Sequence, residues 1–168
     1  LMIILQPGSV WVGWLGLTDG EVGDDEREQL QQKLLEEYQC RPVFLSEQDI
    51  DLYYYGFCNK TIWPLFHYFK SKVEYDLETW EAYQSVNRKF FAAIEPIIDE
   101  DDIIWVHDYH LMLLPQIIKE KYPRAQVGFF LHIPFPSFEI FRLLIWREEV
   151  LRLCTSLLEQ CTQIVGIG

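Results

Sequence analysis

Two short apolar runs end in residues that can do chemistry. Ile103-Ile104-Trp105-Val106 breaks into His107-Asp108-Tyr109-His110, and the run Val127 to Leu131 leads straight into His132. A carboxylate accepts strong, charge-assisted hydrogen bonds from hydroxyl groups. An imidazole beside it can serve a second sugar, so Asp108 with His132 suits recognition of a polyol. His107-x-x-His110 with Asp108 between them also has the residue types of a metal set. Ligation is the weaker use: successive residues of extended chain point to opposite faces, which sends His107 and Asp108 apart, and no second His, Cys or carboxylate cluster completes a coordination shell. Asp108 has a plainer alternative as the cap of the following helix, and His132 as a satisfied core histidine.

For these two ends to meet, the chain between them must cross over. It reads as a helix of about a dozen residues that Pro123 closes, and strand, helix and strand at that spacing make a βαβ unit with parallel strands. Both runs are apolar without alternation, as strands are when helices cover both faces. Ligands of such sheets bind beyond the carboxyl ends of the strands, which places Asp108 and His132 side by side at the edge of a cleft.

Upstream, Gly8 to Gly16 alternates large apolar with small residues, the pattern of a strand that another backbone approaches closely, and Thr18-Asp19-Gly20 turns it. Asp24 to Tyr38 is an acidic helix with Leu30, Leu34, Leu35 and Tyr38 on one stripe. Arg41 to Leu45 reads as a strand, and Ser46 followed by Asp49 as a helix start. The segment 51–69 carries Tyr53, Tyr54, Tyr55, Phe57, Trp63, Phe66, Tyr68 and Phe69. Either core packing or a sugar-shaping surface accounts for them, with Gly56, Asn59 and Pro64 breaking any clean amphipathic helix. Asp76 caps a long helix whose apolar stripe is Leu77, Trp80, Val86, Phe90, Ile94 and Ile97. Ser137 and Glu139 open another, which the spacing of apolar residues extends to Gln160.

Composition sets outer limits. With 168 residues, 49% of them hydrophobic, the chain supplies one ordinary core. A formal net charge of −12 offers no basic stripe to nucleic acid and disfavours anionic membranes. No apolar run reaches the roughly 18–20 residues of a membrane span. Cys40, Cys58, Cys154 and Cys161 show no paired spacing, so a soluble protein in a reducing, cytoplasmic setting is expected. The common glycine-rich nucleotide motifs and HExxH are absent.

The quoted stretches resemble a known family. Trp105-Val106-His107-Asp108-Tyr109-His110-Leu111, then Gly128 to Ser137 with Glu139-Ile140, are similar to the trehalose-6-phosphate synthases, retaining glycosyltransferases. Tyr53 to Asn59, Ile62 to Tyr68 and Val12-Gly13-Trp14 match upstream segments in the same order. The resemblance implies a Rossmann-like parallel sheet with flanking helices, the N-terminal, acceptor-side half of a two-domain glycosyltransferase. It implies transfer of glucose from UDP-glucose, the donor substrate, to glucose 6-phosphate, with no cofactor and no metal. Tyr54 and Asp108 would hold the acceptor, Trp63 and Ile133 would select its anomer, and His132 would lie against the donor glucose in the catalytic centre. Sugar phosphates are the implied partners, with a homo-oligomer or a synthase complex as the implied assembly.

Departures accompany the match. Residues 1–8 lack the arginine and glycine-rich loop with which the family begins, and after Arg152 the sequence diverges from the family's next strand. Residues 1–168 are therefore expected to form a single, incomplete acceptor-side domain with a divergent tail at 153–168, lacking a sheet strand, self-associating and inactive alone. The alternative is a non-catalytic regulatory or interaction module derived from the same family.

Overall fold

The computed structural model describes residues 3–4, 9–137, 159, 161 and 163–166. Strands β1 (Ile3–Ile4), β2 (Trp11–Thr18), β3 (Cys40–Leu45), β4 (Ile103–His107), β5 (Gln126–Leu131) and β6 (Gln163–Gly166) form one sheet in the order β3-β2-β1-β4-β5-β6. Neighbours pair in parallel except β1, which is antiparallel to both β2 and β4. The inferred βαβ unit is present: β4 passes through a tight turn at Tyr109–Leu111 and helix α5 (Leu114–Lys121, numbered in chain order) to β5. Trp105 stands opposite Gly128 in that pair, where a Cβ would fall 2.2 Å from the indole Cε3. Glycine makes room for the ring. The edge strand β3 tolerates Pro42, which has no N–H to give to a further neighbour.

Helix α1 (Asp24–Tyr38) has the bounds read from the sequence, and Gln39 ends it at φ 53°. Tyr38 does not join its apolar stripe and is 63% exposed, because it lies at the helix end beyond the face that packs on β3. Ser46 starts the next helical run through a reciprocal box: its Oγ accepts from the Asp49 N–H (3.0 Å), and Asp49 Oδ2 accepts from the Ser46 N–H (2.8 Å). Lys89 pairs with the same carboxylate. Helix α2 (Glu47–Asp49) then continues without a break into a π-helix, Ile50–Ile62, and into α3 (Trp63–Phe66).

The expected interruption of this aromatic segment does not occur. Gly56 lets the next helix approach, since a Cβ there would meet Thr79 Cγ2 at 2.9 Å. Pro64 falls where the π winding passes into α3, and its missing N–H removes one bond from the run without ending it. Helix α4 (Leu77–Ile94) is capped by Asp76, whose Oδ1 accepts from the N–H groups of Glu78 (2.8 Å) and Thr79 (3.2 Å). Val86, Phe90 and Ile94 are buried as expected, together with Tyr83 and Asn87, whereas Leu77 is 51% exposed in the first turn. Burial of each large apolar side chain contributes roughly 1.5–3 kcal/mol, so this face joins helix to sheet.

The expectation that the sheet lacks a strand near the end is overturned. Residues 163–166 pair in parallel with β5, from Gly128↔Gln163 to Leu131↔Gly166. A four-residue strand is too short to declare itself by periodicity. The helix expected from Ser137 to Gln160 lies almost wholly outside the described residues.

Candidate functional site

Asp108 is where the chain leaves β4, and it does so at φ 72°, ψ 164°. That region is essentially reserved for glycine and costs a residue with a side chain on the order of 1–3 kcal/mol, so it persists only where the surroundings over-determine it. Here the surroundings are explicit. The Asp108 N–H donates to the Phe130 carbonyl (2.7 Å), and the Asp108 carbonyl accepts from the Leu111 N–H (3.1 Å). From beneath, the Tyr83 hydroxyl donates to the Tyr109 carbonyl (2.8 Å) and accepts from the Met112 N–H (3.0 Å). The Tyr53 hydroxyl and Asn87 Nδ2 both donate to the His110 carbonyl, each at 3.2 Å. Burial pushes the Tyr53 hydroxyl well above its usual pKa, which keeps it a donor. Three buried side chains from the π-helix and α4 thus hold one turn.

Above that turn opens a cleft of about 550 Å³, lined by Trp14, Leu15, Gly16, Tyr54, His107, Asp108, His110 and His132. Its wall on one side is the π-helix, where Tyr54 lies parallel to the His110 ring (centroids 5.6 Å, 14°) and 5.7 Å from Trp14. Its floor is the carboxyl edge of β4 and β5. Asp108 Oδ1 accepts from the backbone N–H of His132 (3.3 Å), which ties the two strand ends together. His110 Nδ1 lies 3.4 Å from Asp108 Oδ2, within ion-pair reach, although among the described residues neither buried nitrogen of that ring has a hydrogen bond, and the residue is 8% exposed. Burial raises the Asp108 pKa, but His110 and the N–H groups of Tyr109 and His132 outweigh it and hold the carboxyl below its usual range. Asp108 is therefore a carboxylate at neutral pH.

His107 Nδ1 lies 3.0 Å from His132 Nε2, with the ring centroids 5.3 Å apart and the planes inclined by 26°, an edge-to-edge contact. Burial lowers the His107 pKa and the neighbouring imidazole lowers it further. His107 and Asp108 do not diverge as alternation required, because the positive φ at Asp108 takes it off the strand's alternating course and both line the cleft. Among the described residues, no group of three or more His, Cys, Asp or Glu side chains is arranged to hold a metal ion.

Of the five residues singled out in the sequence, Tyr54, Asp108 and His132 come together on this cleft. Trp63 and Ile133 do not line it. Trp63 is 38% exposed and stacks on His67 (4.1 Å, 27°), while Ile133 is buried in the core. Their elements nevertheless meet: the Tyr68 hydroxyl accepts from the Ser137 N–H (2.9 Å), and Phe66 and Phe135 are 5.8 Å apart. Sequence reasoning missed His107, His110 and the rim formed by Trp14, Leu15 and Gly16 as site residues. The signal in the sequence was the glycine itself at the end of the Gly8 to Gly16 run; its φ of 87° turns β2 aside where the register with β3 shifts.

A mainly parallel sheet with helices and a site at the carboxyl ends of its strands is an α/β, Rossmann-like architecture. The sequence profile of Glycosyltransferase family 20 matches residues 3–162, and the chain belongs to that family. Among its relatives, the alpha,alpha-trehalose-phosphate synthase [UDP-forming] A of Dictyostelium discoideum is 43% identical over 97% of this chain and 24% of that protein. The fold is similar to the Burkholderia xenovorans alpha,alpha-trehalose-phosphate synthase (UDP-forming) in complex with glucose-6-phosphate, with a TM-score of 0.65 and 38% identity over 70% of this chain and 26% of that one. It is also similar to the structure of trehalose-6-phosphate from E. coli bound with UDP-2-fluoro glucose, with a TM-score of 0.71 and 35% identity over 91% of this chain and 31% of that one. The chain spans about a quarter to a third of the length of these relatives. Among the described residues no helix is long and apolar enough to cross a membrane.

Proposed function

We propose that this chain is the acceptor-side part of a UDP-glucose-dependent retaining glycosyltransferase that makes trehalose 6-phosphate from UDP-glucose and glucose 6-phosphate. The carrying observation is the strained, ionised Asp108 at the strand end, facing Tyr54 and His132 across one cleft. A carboxylate fixed there accepts hydrogen bonds from acceptor hydroxyls, and Tyr54 flanks the same sugar. His132 lies against the donor glucose, and Trp63 with Ile133, which stand outside the described lining of the cleft, keep the anomer-selecting role that the resemblance implies. The relatives' bound glucose-6-phosphate and UDP-2-fluoro glucose support this choice of substrates.

The cleft's described lining holds no lysine or arginine, so a diphosphate finds no cationic partner in it. Transfer therefore draws on residues beyond these, and by itself this incomplete acceptor-side domain is inactive. We assign it to the cytoplasm, with sugar phosphates as ligands, no nucleic-acid or membrane partner, and a homo-oligomer or synthase complex as its assembly. Calorimetric titration with glucose 6-phosphate tests the reading. The expected result is measurable binding that Asp108→Asn weakens by about tenfold, a loss of about 1.4 kcal/mol. Equal affinity in both proteins, or none in the parent, overturns it. Trehalose 6-phosphate formed from UDP-glucose by the chain alone, above a protein-free control, overturns the need for further residues.

A further inference from the structure

We propose that His107 is a positioning residue that fixes the ring proton of His132 on Nδ1, so that His132 meets its ligand as a hydrogen-bond donor. The distance of 3.0 Å between His107 Nδ1 and His132 Nε2 leaves room for one proton between them. It can belong to either ring. If it belonged to His132, a neutral His107 would carry its own proton on Nε2. That atom is buried and, among the described residues, has no hydrogen-bond partner. A buried N–H without an acceptor is the rarer orphan, whereas a bare lone pair in the same place is tolerated more often. His107 therefore donates from Nδ1 and keeps Nε2 unprotonated.

The surroundings hold this arrangement. The His107 ring is flanked by Phe130 (centroids 6.0 Å) and meets His132 edge to edge through the nitrogen–nitrogen contact, which restricts its rotation. Burial opposes a second proton on His107, in keeping with its lowered pKa. With Nε2 of His132 occupied as an acceptor, the remaining proton of a neutral His132 sits on Nδ1. The consequence is chemical. His132 supplies an N–H to a hydroxyl or phosphate oxygen in the cleft, and it cannot take a proton at Nε2 unless His107 gives up its Nδ1 proton or the bond between them. The sugar as occupant rests on the function proposed above; the tautomer does not.

Nitrogen-15 labelling and long-range proton–nitrogen correlation of the imidazole rings read the tautomer directly. The chain has four histidines, so single substitutions assign the signals. At about pH 8, where an ordinary imidazole is neutral, the expected spectrum shows His132 protonated at Nδ1 and bare at Nε2. In His107→Phe the pattern should move toward the Nε2–H form, and in His107→Asn, whose side-chain amide restores a donor near the same place, it should return to the parent pattern. A parent His132 protonated at Nε2 overturns the proposal, as does an unchanged His132 in a natively dispersed His107→Phe. Should the phenylalanine variant fail to fold, the parent spectrum alone decides the tautomer. No sugar is needed, so failure here leaves the glucose 6-phosphate titration independent.

Discussion

The two strand ends that make the cleft are built differently. At the end of β4, the turn carrying Asp108 is held from below by Tyr53, Tyr83 and Asn87, three buried side chains that donate to successive carbonyls. At the end of β5, His132 is exposed and leans sideways on its neighbours, through its N–H to Asp108 and its ring to His107. One end is scaffolded and strained, the other lightly tethered to it. The difference teaches where the rigidity lies: the carboxylate proposed to hold the acceptor receives the buried support, and the histidine inherits its position.

That contrast can be broken most severely at Tyr83. Tyr83→Phe strips a partner from the Tyr109 carbonyl and the Met112 N–H, and leaving such groups unpaired in the core should cost about 2–3 kcal/mol in denaturant unfolding. A loss below a few tenths would show that the β4 turn does not depend on its scaffold. Gly128→Ala probes the sheet beneath both ends. Its new methyl must displace the Trp105 ring, with an expected cost of about 1–3 kcal/mol in the same measurement.

Asp108→Gly sharpens the comparison by separating strain from use. Glycine accepts φ 72° freely, so the variant should gain up to about 1 kcal/mol of stability while losing glucose 6-phosphate binding. Loss of both together would mean that the contacts to His110 and His132 outweigh the strain.

Acid separates the two ends again. Burial depresses the His107 pKa, and the contacts that outweigh burial depress that of Asp108. For each, the unfolded chain binds its proton more readily than the folded one, so stability rises with pH. The His107 share is lost as pH falls from about 6.5 toward its lower folded value. The Asp108 share is present above the usual carboxylate value of 3.8 and is lost as pH falls below it through the folded value. Unfolding curves across pH should show His107→Gln erasing the upper step alone and Asp108→Asn reducing the lower one. The smallest effect is expected for His132→Ala, within about 0.5 kcal/mol, because the side chain is exposed and its backbone bond to Asp108 remains.

The βαβ unit and the meeting of Asp108 with His132 were legible because unbroken apolar runs, a crossover of suitable length and polar residues at both strand ends are properties of sequence spacing. The caps at Ser46 and Asp76 were legible for the same reason, since side-chain chemistry three residues apart sets them. What stayed hidden depended on backbone excursions. Alternation sent His107 away from Asp108, and a single positive φ brought them onto one cleft. The aromatic segment read as broken because Gly56 and Pro64 disfavour an ordinary helix, while close packing of α4 on Gly56 gave the glycine its use. The strand at 163–166 needed β5 beside it before its four residues meant anything.

The π-helix has a consequence for how this segment can change. Its bonds reach five residues back, as from the Trp63 N–H to the Cys58 carbonyl, so each turn holds about one residue more than an α-helical turn. Within Ile50–Ile62, substitution at an exposed position such as Tyr55 leaves the winding as it is. Removal of a single residue invites the tighter α winding and turns everything on one side of the gap by about 100° relative to the other. Tyr53 would then leave the His110 carbonyl, or Tyr54 would leave the cleft, with every side chain chemically intact. In this stretch length is the constrained quantity, and a shortened relative would have to rebuild one wall of the cleft.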